Sequence, residues 1–544
     1  MTLSRVAVLP RPVDVGDEVD PTTASRRPPQ PVRLQRRYVD GAIVLTLVLV
    51  AVALHPIGTV IHRPYWLDEM WVAQLSRAPL SRQLALSSST PIGWVLLLRL
   101  IPGGLDAPLR LVPFTFGVGI PPLAYWFARS LSWPSLKTAR AAGVATGAAV
   151  LLAPATLVRN DLKQYTADAF FALAILLLAG RVEAAPTRRR MVAFGAVCIV
   201  SMLFSTTAIF VVTASLAALF VTALASKSWR AARRVALMGV ALGVTIGAYF
   251  ATVVLPHDNA ALRAFWEYAY LPASPVRLAP KVVRRIEAIA PLMSLPALVL
   301  IVLVVVGCVS LARLGHRALG TAIGVLWLEM VVAGVGRRYP FLDLRTSHFL
   351  IVVSVAVAAV GAVGLASFAN RSSRNLPIAV TMCLVVAYAS TGLPYVNVWW
   401  VPKEGIRDDV AYVAQHRARR DVIIVSLPSN YGFSAYWPDA HTEYIRDPAI
   451  SIGFVTRVRG LRGVVYLDGV TARDTTAGLR AAFALARQQH GRRIWIVRTH
   501  LYPEERAAWR TTFHDLGLKP GSVNIGPDAI WIVPAPCCAT TSAS

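Results

Sequence analysis

In the stretch HRPYWLDEMWVAQLS, residues 62–76, two adjacent acids, Asp68 and Glu69, stand among tryptophans just after a long apolar run. A carboxylate in such a place can accept a proton from a hydroxyl, position a nucleophile or hold a cation. It can also do less, because acids are favoured at a helix N-terminus by its unpaired N–H groups and dipole. Leu67, Trp71 and Leu75 recur at helical spacing, which predicts an amphipathic helix on the membrane surface with both acids in its first turn. A second stretch, VRNDLKQYTAD, gathers Arg159, Asp161, Lys163 and Tyr165, with Asp168 one turn further on. A third, GRRYPFLDLRTSHF, adds Arg337, Arg338, Arg345 and His348. Guanidinium, ammonium and protonated imidazole groups neutralise phosphate oxygens, so Arg159, Lys163, Arg338, Arg345 and His348 are candidates for holding a phosphate. The plainer reading of the second stretch is a solvated loop with an internal Arg159–Asp161 pair.

These residues must be positioned by membrane helices. Of 544 residues, 55% are hydrophobic and only 15% charged, and the apolar residues come in blocks, which excludes an ordinary soluble globular chain. The formal charge of +26 is spread through short loops instead of one stripe, so it reads as a topology signal and not as a nucleic-acid surface. Eleven apolar runs can be read, near residues 41–61, 109–128, 141–158, 167–180, 191–204, 208–224, 235–255, 289–311, 318–335, 349–366 and 376–392. The fold class expected is a polytopic α-helical membrane protein of about 11 transmembrane helices.

The run 91–101 decides the parity of all later loops. If it is interfacial, the basic clusters KTAR, TRRR, KSWRAARR, LARLGHRA and NRSSRN fall inside, as the positive-inside trend requires. The N-terminal residues 1–40, rich in Pro and Arg, are then a disordered cytoplasmic tail. Residues 41–396 form the membrane domain, with outer segments 62–108, 159–166, 256–288 and 336–348. Residues 397–544 form an extracytoplasmic α/β domain, with strands at DVIIVSL, GVVYLDGV, RRIWIVRT and AIWIVP and helices near 406–417, 475–488 and 504–516. The cations of 336–348 run against the positive-inside trend and so need an anionic reason on the outer face, a lipid headgroup or a held phosphate. Cys198, Cys308 and Cys383 lie in apolar runs, and the adjacent Cys537 and Cys538 form no disulfide framework.

Taken in order, YWLDEMW after the first span, the surface helix opened by TPIGW, LKQYTADAF entering the fourth span and RRYPFLDLR before a late span resemble the polytopic GT-C glycosyltransferases. The resemblance is to bacterial relatives of the protein O-mannosyltransferases and of the aminoarabinose transferase acting on lipid A, over roughly residues 40–400. It implies a polyprenyl-phosphate sugar donor in the outer leaflet and a glycan, lipid or protein acceptor. It also implies Asp68 as general base, Glu69 as supporting acid, Asp161 as the second-loop carboxylate, and Lys163, Tyr165 and Arg345 as contacts to the donor phosphate. Direct displacement with inversion is the simplest mechanism.

Where the aminoarabinose transferases carry an acid, LALSSSTPIGW offers only hydroxyls, Ser87 to Thr90, which disfavours a lipid A acceptor. A divalent cation such as Mg or Mn shared by Asp68, Glu69 and Asp161 stays open. The third outer segment, with Phe265, Trp266, Tyr268, Arg284 and Arg285, reads as an interfacial anchor. Tyr431, Tyr436 and Trp437 in the tail suit either sugar binding or interface packing. The rival from another class is a transporter or flippase of a lipid-linked or anionic substrate. It is disfavoured by the lack of an internal repeat and by charges gathered at one face. A receptor or assembly partner acting through the α/β tail is the third reading.

Overall fold

A computed structural model describes residues 31–55, 57–86, 90–104, 108–159, 161–257, 259–369, 375–398, 404–500, 502–525 and 528–535. The chain divides into two units, Met1–Ile43 and Val44–Ser544. The expected disordered tail falls largely on residues 1–30, outside the described residues. From Pro31 the chain is helical, ten residues before the first apolar run begins.

Every one of the eleven apolar runs carries a helix. Among the described residues six helices are long and apolar enough to cross a membrane, Leu111–Arg129, Ala208–Ala225, Trp229–Val254, Arg317–Val335, His348–Ala369 and Leu376–Tyr395. A seventh span is possible if Pro275–Met293 and Ala297–Arg313, bent by 86°, count as one. Pro296 lies in that break and Pro291 in the tight turn Ala290–Met293 just before it, where their missing N–H groups cannot sustain an α-helix. Others are shorter: Leu136–Leu152 and Arg188–Phe204 have 17 residues each, about 26 Å of rise.

His348–Ala369 is the buried axis of the bundle, 89% of its apolar stretch being covered. A Cβ on Gly361 would strike the carbonyl of Leu303, so here the backbones of two helices touch, as small residues permit between membrane helices. Trp229–Val254 is the opposite case, only 6% buried, with Leu237, Val240 and Val244 exposed. An apolar helix so uncovered is solvated by lipid.

The segment 62–108 leaves the bundle and returns to the same place, because Arg110 donates to the carbonyls of Val60 (2.9 Å), Arg63 (2.5 Å) and Pro64 (3.0 Å). Its helices are Leu67–Arg77, Leu80–Leu86 and Ile92–Arg99. The last rises only about 12 Å and is too short to span. It is packed inward instead of lying on a surface: Trp94 is fully buried, and a Cβ on Gly93 would stand 2.5 Å from the carbonyl oxygen of Leu203. The Asp68 helix departs from expectation in the same way. Leu67 and Glu69 through Ser76 are all buried, because the C-terminal region covers what was expected to be its polar face.

That region is α/β. Strands β1 (Val422–Val425), β2 (Thr442–Arg446), β3 (Phe454–Val458), β4 (Val464–Tyr466), β5 (Arg493–Val497), β6 (Gly521–Ile525) and β7 (Asp528–Pro534) form two sheets. The larger has the order β4-β1-β5-β7-β6, with β1 parallel to β4 and β5 and β7 antiparallel to β5 and β6. The continuous apolar run of β1 follows from burial on both faces. Val422 and Ile424 pack with Leu479 and Trp509 from one helix layer, whereas Ile423 and Val425 pack with Val410 and Phe433 from the other. The four strands expected from sequence are present. The β2–β3 hairpin and β6 are additional, and their charged or glycine-bearing sequences, TEYIR and GSVNI, obscure the strand pattern.

Candidate active site

Asp68 sits in the first turn of helix Leu67–Arg77. Its Oδ2 accepts from Arg345 Nη1 at 2.9 Å and its Oδ1 from Trp71 Nε1 at 3.4 Å. Lys163 Nζ lies 3.7 Å from the centroid of the same Trp71 ring, a close cation–π contact. The Asp68 side chain keeps 21% exposure, so the carboxylate is reachable from solvent while protein charges surround it. Burial alone would push its pKa up, but Lys163, Arg345 and His500 together outweigh burial and hold it below the usual carboxylate range. Burial pushes the Lys163 ammonium down to about 8, with Asp68 opposing and Arg345 assisting. Burial also disfavours the charge on Arg345, but Asp68, Tyr165, Asp343 and Tyr268 together more than offset it. The site thus holds one ionised acid, one permanent cation and one lysine that titrates near neutrality.

Arg345 is itself held from behind. Asp343 Oδ1 accepts from the backbone N–H of Arg345 at 3.0 Å and lies 3.8 Å from its Nε. The guanidinium stacks over Trp266 at 5.3 Å, and Tyr268 donates to Asp343 Oδ2 at 3.0 Å. Trp266 and Tyr268, expected as membrane anchors, are therefore the wall against which Arg345 is aimed.

Glu69 points away into the core, fully buried. Its Oε1 accepts from Arg110 Nε (2.6 Å) and the Leu162 N–H (2.9 Å), its Oε2 from Arg110 Nη2 (2.5 Å) and the Trp66 N–H (3.3 Å). Four bonds occupy its oxygens and tie the Asp68 helix to the second loop, one residue from Lys163. Arg159 and Asp161 form an ion pair at 3.6 Å, both nearly buried, without a hydrogen bond between them. Arg159 Nε and Nη1, Asp161 Oδ2 and both ring nitrogens of His348 are buried and find no hydrogen-bond partner among the described residues. The Arg159 guanidinium lies 5.7 Å over the Tyr165 ring. Arg159 lines a small pocket together with His55, Arg110, Phe114, Thr156 and Thr166. Arg338 is exposed on the turn after Arg317–Val335. Of the hydroxyl stretch, Ser87 to Ser89 lie outside the described residues.

The three acids do not compose a cation site. Asp68 faces Arg345 and Lys163, Glu69 is taken by Arg110, and Asp161 faces Arg159. A divalent ion shared by them would meet a cation of the chain at each carboxylate. Among the described residues no group of three or more His, Cys, Asp or Glu side chains is placed to hold a metal.

Two residues from the C-terminal region reach the site. Glu404 Oε2 accepts from the N–H of Leu67 at 2.9 Å, at the open end of the Asp68 helix, and its Oε1 meets His500 Nδ1 at 2.5 Å. The His500 ring lies 5.6 Å from Trp66 and 5.1 Å from Tyr502. Nothing in the local sequence around 404 or 500 marks either as functional, since the partner of Glu404 is the Leu67 amide 337 residues away and that of His500 is Glu404, 96 residues away. Tyr431 proves to be interface packing. It is buried, its hydroxyl donates to the carbonyl of Phe454, and its own carbonyl accepts from Gln74 Nε2 at 3.0 Å.

A polytopic helical bundle with acid-bearing loops at one end and an α/β region on that end is the architecture of the GT-C fold, and this chain has a GT-C-like fold. No protein-family model and no curated protein matches the sequence. Among solved structures, the Archaeoglobus fulgidus oligosaccharyltransferase in complex with Zn and sulfate superposes with a TM-score of 0.52 at 12% identity, over 84% of this chain and 67% of that one. ArnT from Cupriavidus metallidurans matches at 0.46 and 13% identity over 93% and 98% of the two chains. The arabinosyltransferase EmbB from Mycobacterium smegmatis matches at 0.38 and 12% over 91% and 42%.

Proposed function

We propose that the protein is an integral-membrane glycosyltransferase that moves a sugar from a polyprenyl-phosphate donor to a cell-envelope acceptor on the outer face of the membrane. The observation that carries this reading is the pairing of an ionised, solvent-reachable Asp68 with Lys163 and Arg345 at the end of the bundle. A sugar hydroxyl is a weak nucleophile, and a carboxylate that accepts its proton as the bond forms lowers the barrier. In the step proposed, the acceptor oxygen bonds to the anomeric carbon and the hydroxyl proton passes to Asp68. The bond from that carbon to the phosphate oxygen breaks with its electron pair on the polyprenyl phosphate, and the anomeric centre inverts. The leaving phosphate is already a stable anion, so it needs cations and not a strong acid. Lys163 and Arg345 supply them, and Arg159 and His348, buried beyond them with unanswered polar atoms, suit the remaining phosphate oxygens. Glu69 and Arg110 hold the Asp68 helix in place, and Asp161 orients Arg159.

The fold common to this chain and the archaeal oligosaccharyltransferase supports the reading. Purified protein in lipid, offered radiolabelled sugars on polyprenyl phosphate with candidate glycan, lipid and protein acceptors, should transfer label. Asp68→Asn should bind polyprenyl phosphate and fail to transfer. Transport of a lipid-linked substrate across proteoliposomes without transfer would replace this reading by the flippase one.

A further inference from the structure

We propose that His500 is a positioning residue of the Asp68 site, a cation that the C-terminal region brings to the catalytic carboxylate and that Glu404 holds there. This rests on the reading of Asp68 as the base. Glu404 has one oxygen on the Leu67 N–H and the other on His500 Nδ1, so a single side chain ties the imidazole to the first turn of the Asp68 helix. Trp66, the residue before that turn, packs against the same ring. His500 has φ +50°, a left-handed conformation that a residue with a Cβ enters at a cost, and the loop takes it where it delivers the ring to Glu404.

The charge balance gives the imidazole its function. The groups facing His500 are Glu404, Asp68, Arg345, Tyr502 and, at the start of helix Pro503–Asp515, Glu505. Those acting on Asp68 are Lys163, Arg345 and His500, with the phenols of Tyr165, Tyr431 and Tyr502 beside them. Burial would strip the proton from His500, but Glu404 outweighs burial and the ring keeps its charge above the ordinary histidine value. Lys163 and Arg345 are the cations that the proposed step gives to the departing phosphate, which leaves His500 as the charge that stays with Asp68 through turnover. A closed C-terminal region therefore keeps the base ionised.

A carbodiimide reacts with protonated carboxyls, so its labelling of Asp68 in the full-length protein in nanodiscs, read by mass spectrometry across acidic and neutral pH, follows the protonation of Asp68 without any substrate. Wild-type labelling should be confined to the acid end. In His500→Gln the midpoint should rise by about one pH unit, and His500→Lys should return it. An unchanged midpoint in His500→Gln overturns the proposal and reduces the residue to packing. If that variant does not fold, His500→Lys against His500→Met makes the same comparison of charge with no charge. The labelling is independent of transfer: an inactive Asp68→Asn with no midpoint shift defeats only the role of His500, whereas an active Asp68→Asn defeats the base assignment whatever the labelling shows.

Discussion

Asp68 and Glu69 are neighbours in sequence with opposite duties, and the difference is one of partners. Asp68 is faced by cations it can trade for substrate, whereas Glu69 has four donors and no exposure. Asp68→Asn should lower transfer by about 10²–10⁴-fold, the usual worth of a general base, with polyprenyl-phosphate binding retained in a filter assay. Transfer should also be bell-shaped in pH. It falls at the acid end as Asp68, whose pKa is depressed, takes up its proton below the usual carboxylate range. It falls at the alkaline end as Lys163 loses its proton near pH 8 and the phosphate loses a cation. Lys163→Arg, charged throughout, should remove the alkaline limb from the measured profile. Asp68, Lys163 and Arg345 were legible because acids and cations are conspicuous beside apolar runs. The separation of Asp68 from Glu69 was not, since it depends on Arg110, 41 residues further on, and on a loop that doubles back.

At the scale of elements, the Asp68 helix is a buried strut between the bundle and the α/β region. Glu69→Ala leaves Arg110 buried without its carboxylate and should cost ~3–5 kcal/mol, read as a lowered unfolding temperature in detergent. The double variant Glu69→Ala, Arg110→Met should recover much of that loss, because the uncompensated charge is gone. Gln74 makes the corresponding bond toward the α/β region, donating to the Tyr431 carbonyl and to Ser434 and accepting from Tyr444. The helices of the eleven apolar runs and the three expected in the tail were readable from periodicity, whereas Pro275–Ile289 and Asn430–Tyr436 were not read. The inward packing of Leu67–Arg77 and Ile92–Arg99 was not legible either, because amphipathicity identifies an apolar face and says nothing of a second cover arriving from Asn430–Tyr436 in the one case and from Arg188–Phe204 in the other.

For the whole molecule, the loops 62–108, 159–166 and 336–348 and the C-terminal region meet at Asp68, which places them on one side of the bundle. Charge bookkeeping anticipated that grouping and assigns it to the outside. In a background without native cysteines, Cys at Glu443, exposed on β2, should react with a membrane-impermeant maleimide in intact cells. Cys at Lys227, in a basic turn between helices, should react only after permeabilisation. What no local pattern revealed is the join itself: Glu404 and His500 acquire meaning only when the last third of the sequence folds back on the first. That join bears on biogenesis. Because the Leu67 N–H is met by Glu404, and Glu404 by His500, the first turn of the Asp68 helix lacks these partners in a nascent chain until the residues of β5 and the loop after it have left the ribosome. On the proposed reading the site is then completed late in synthesis, by residues far along the chain from those that begin it.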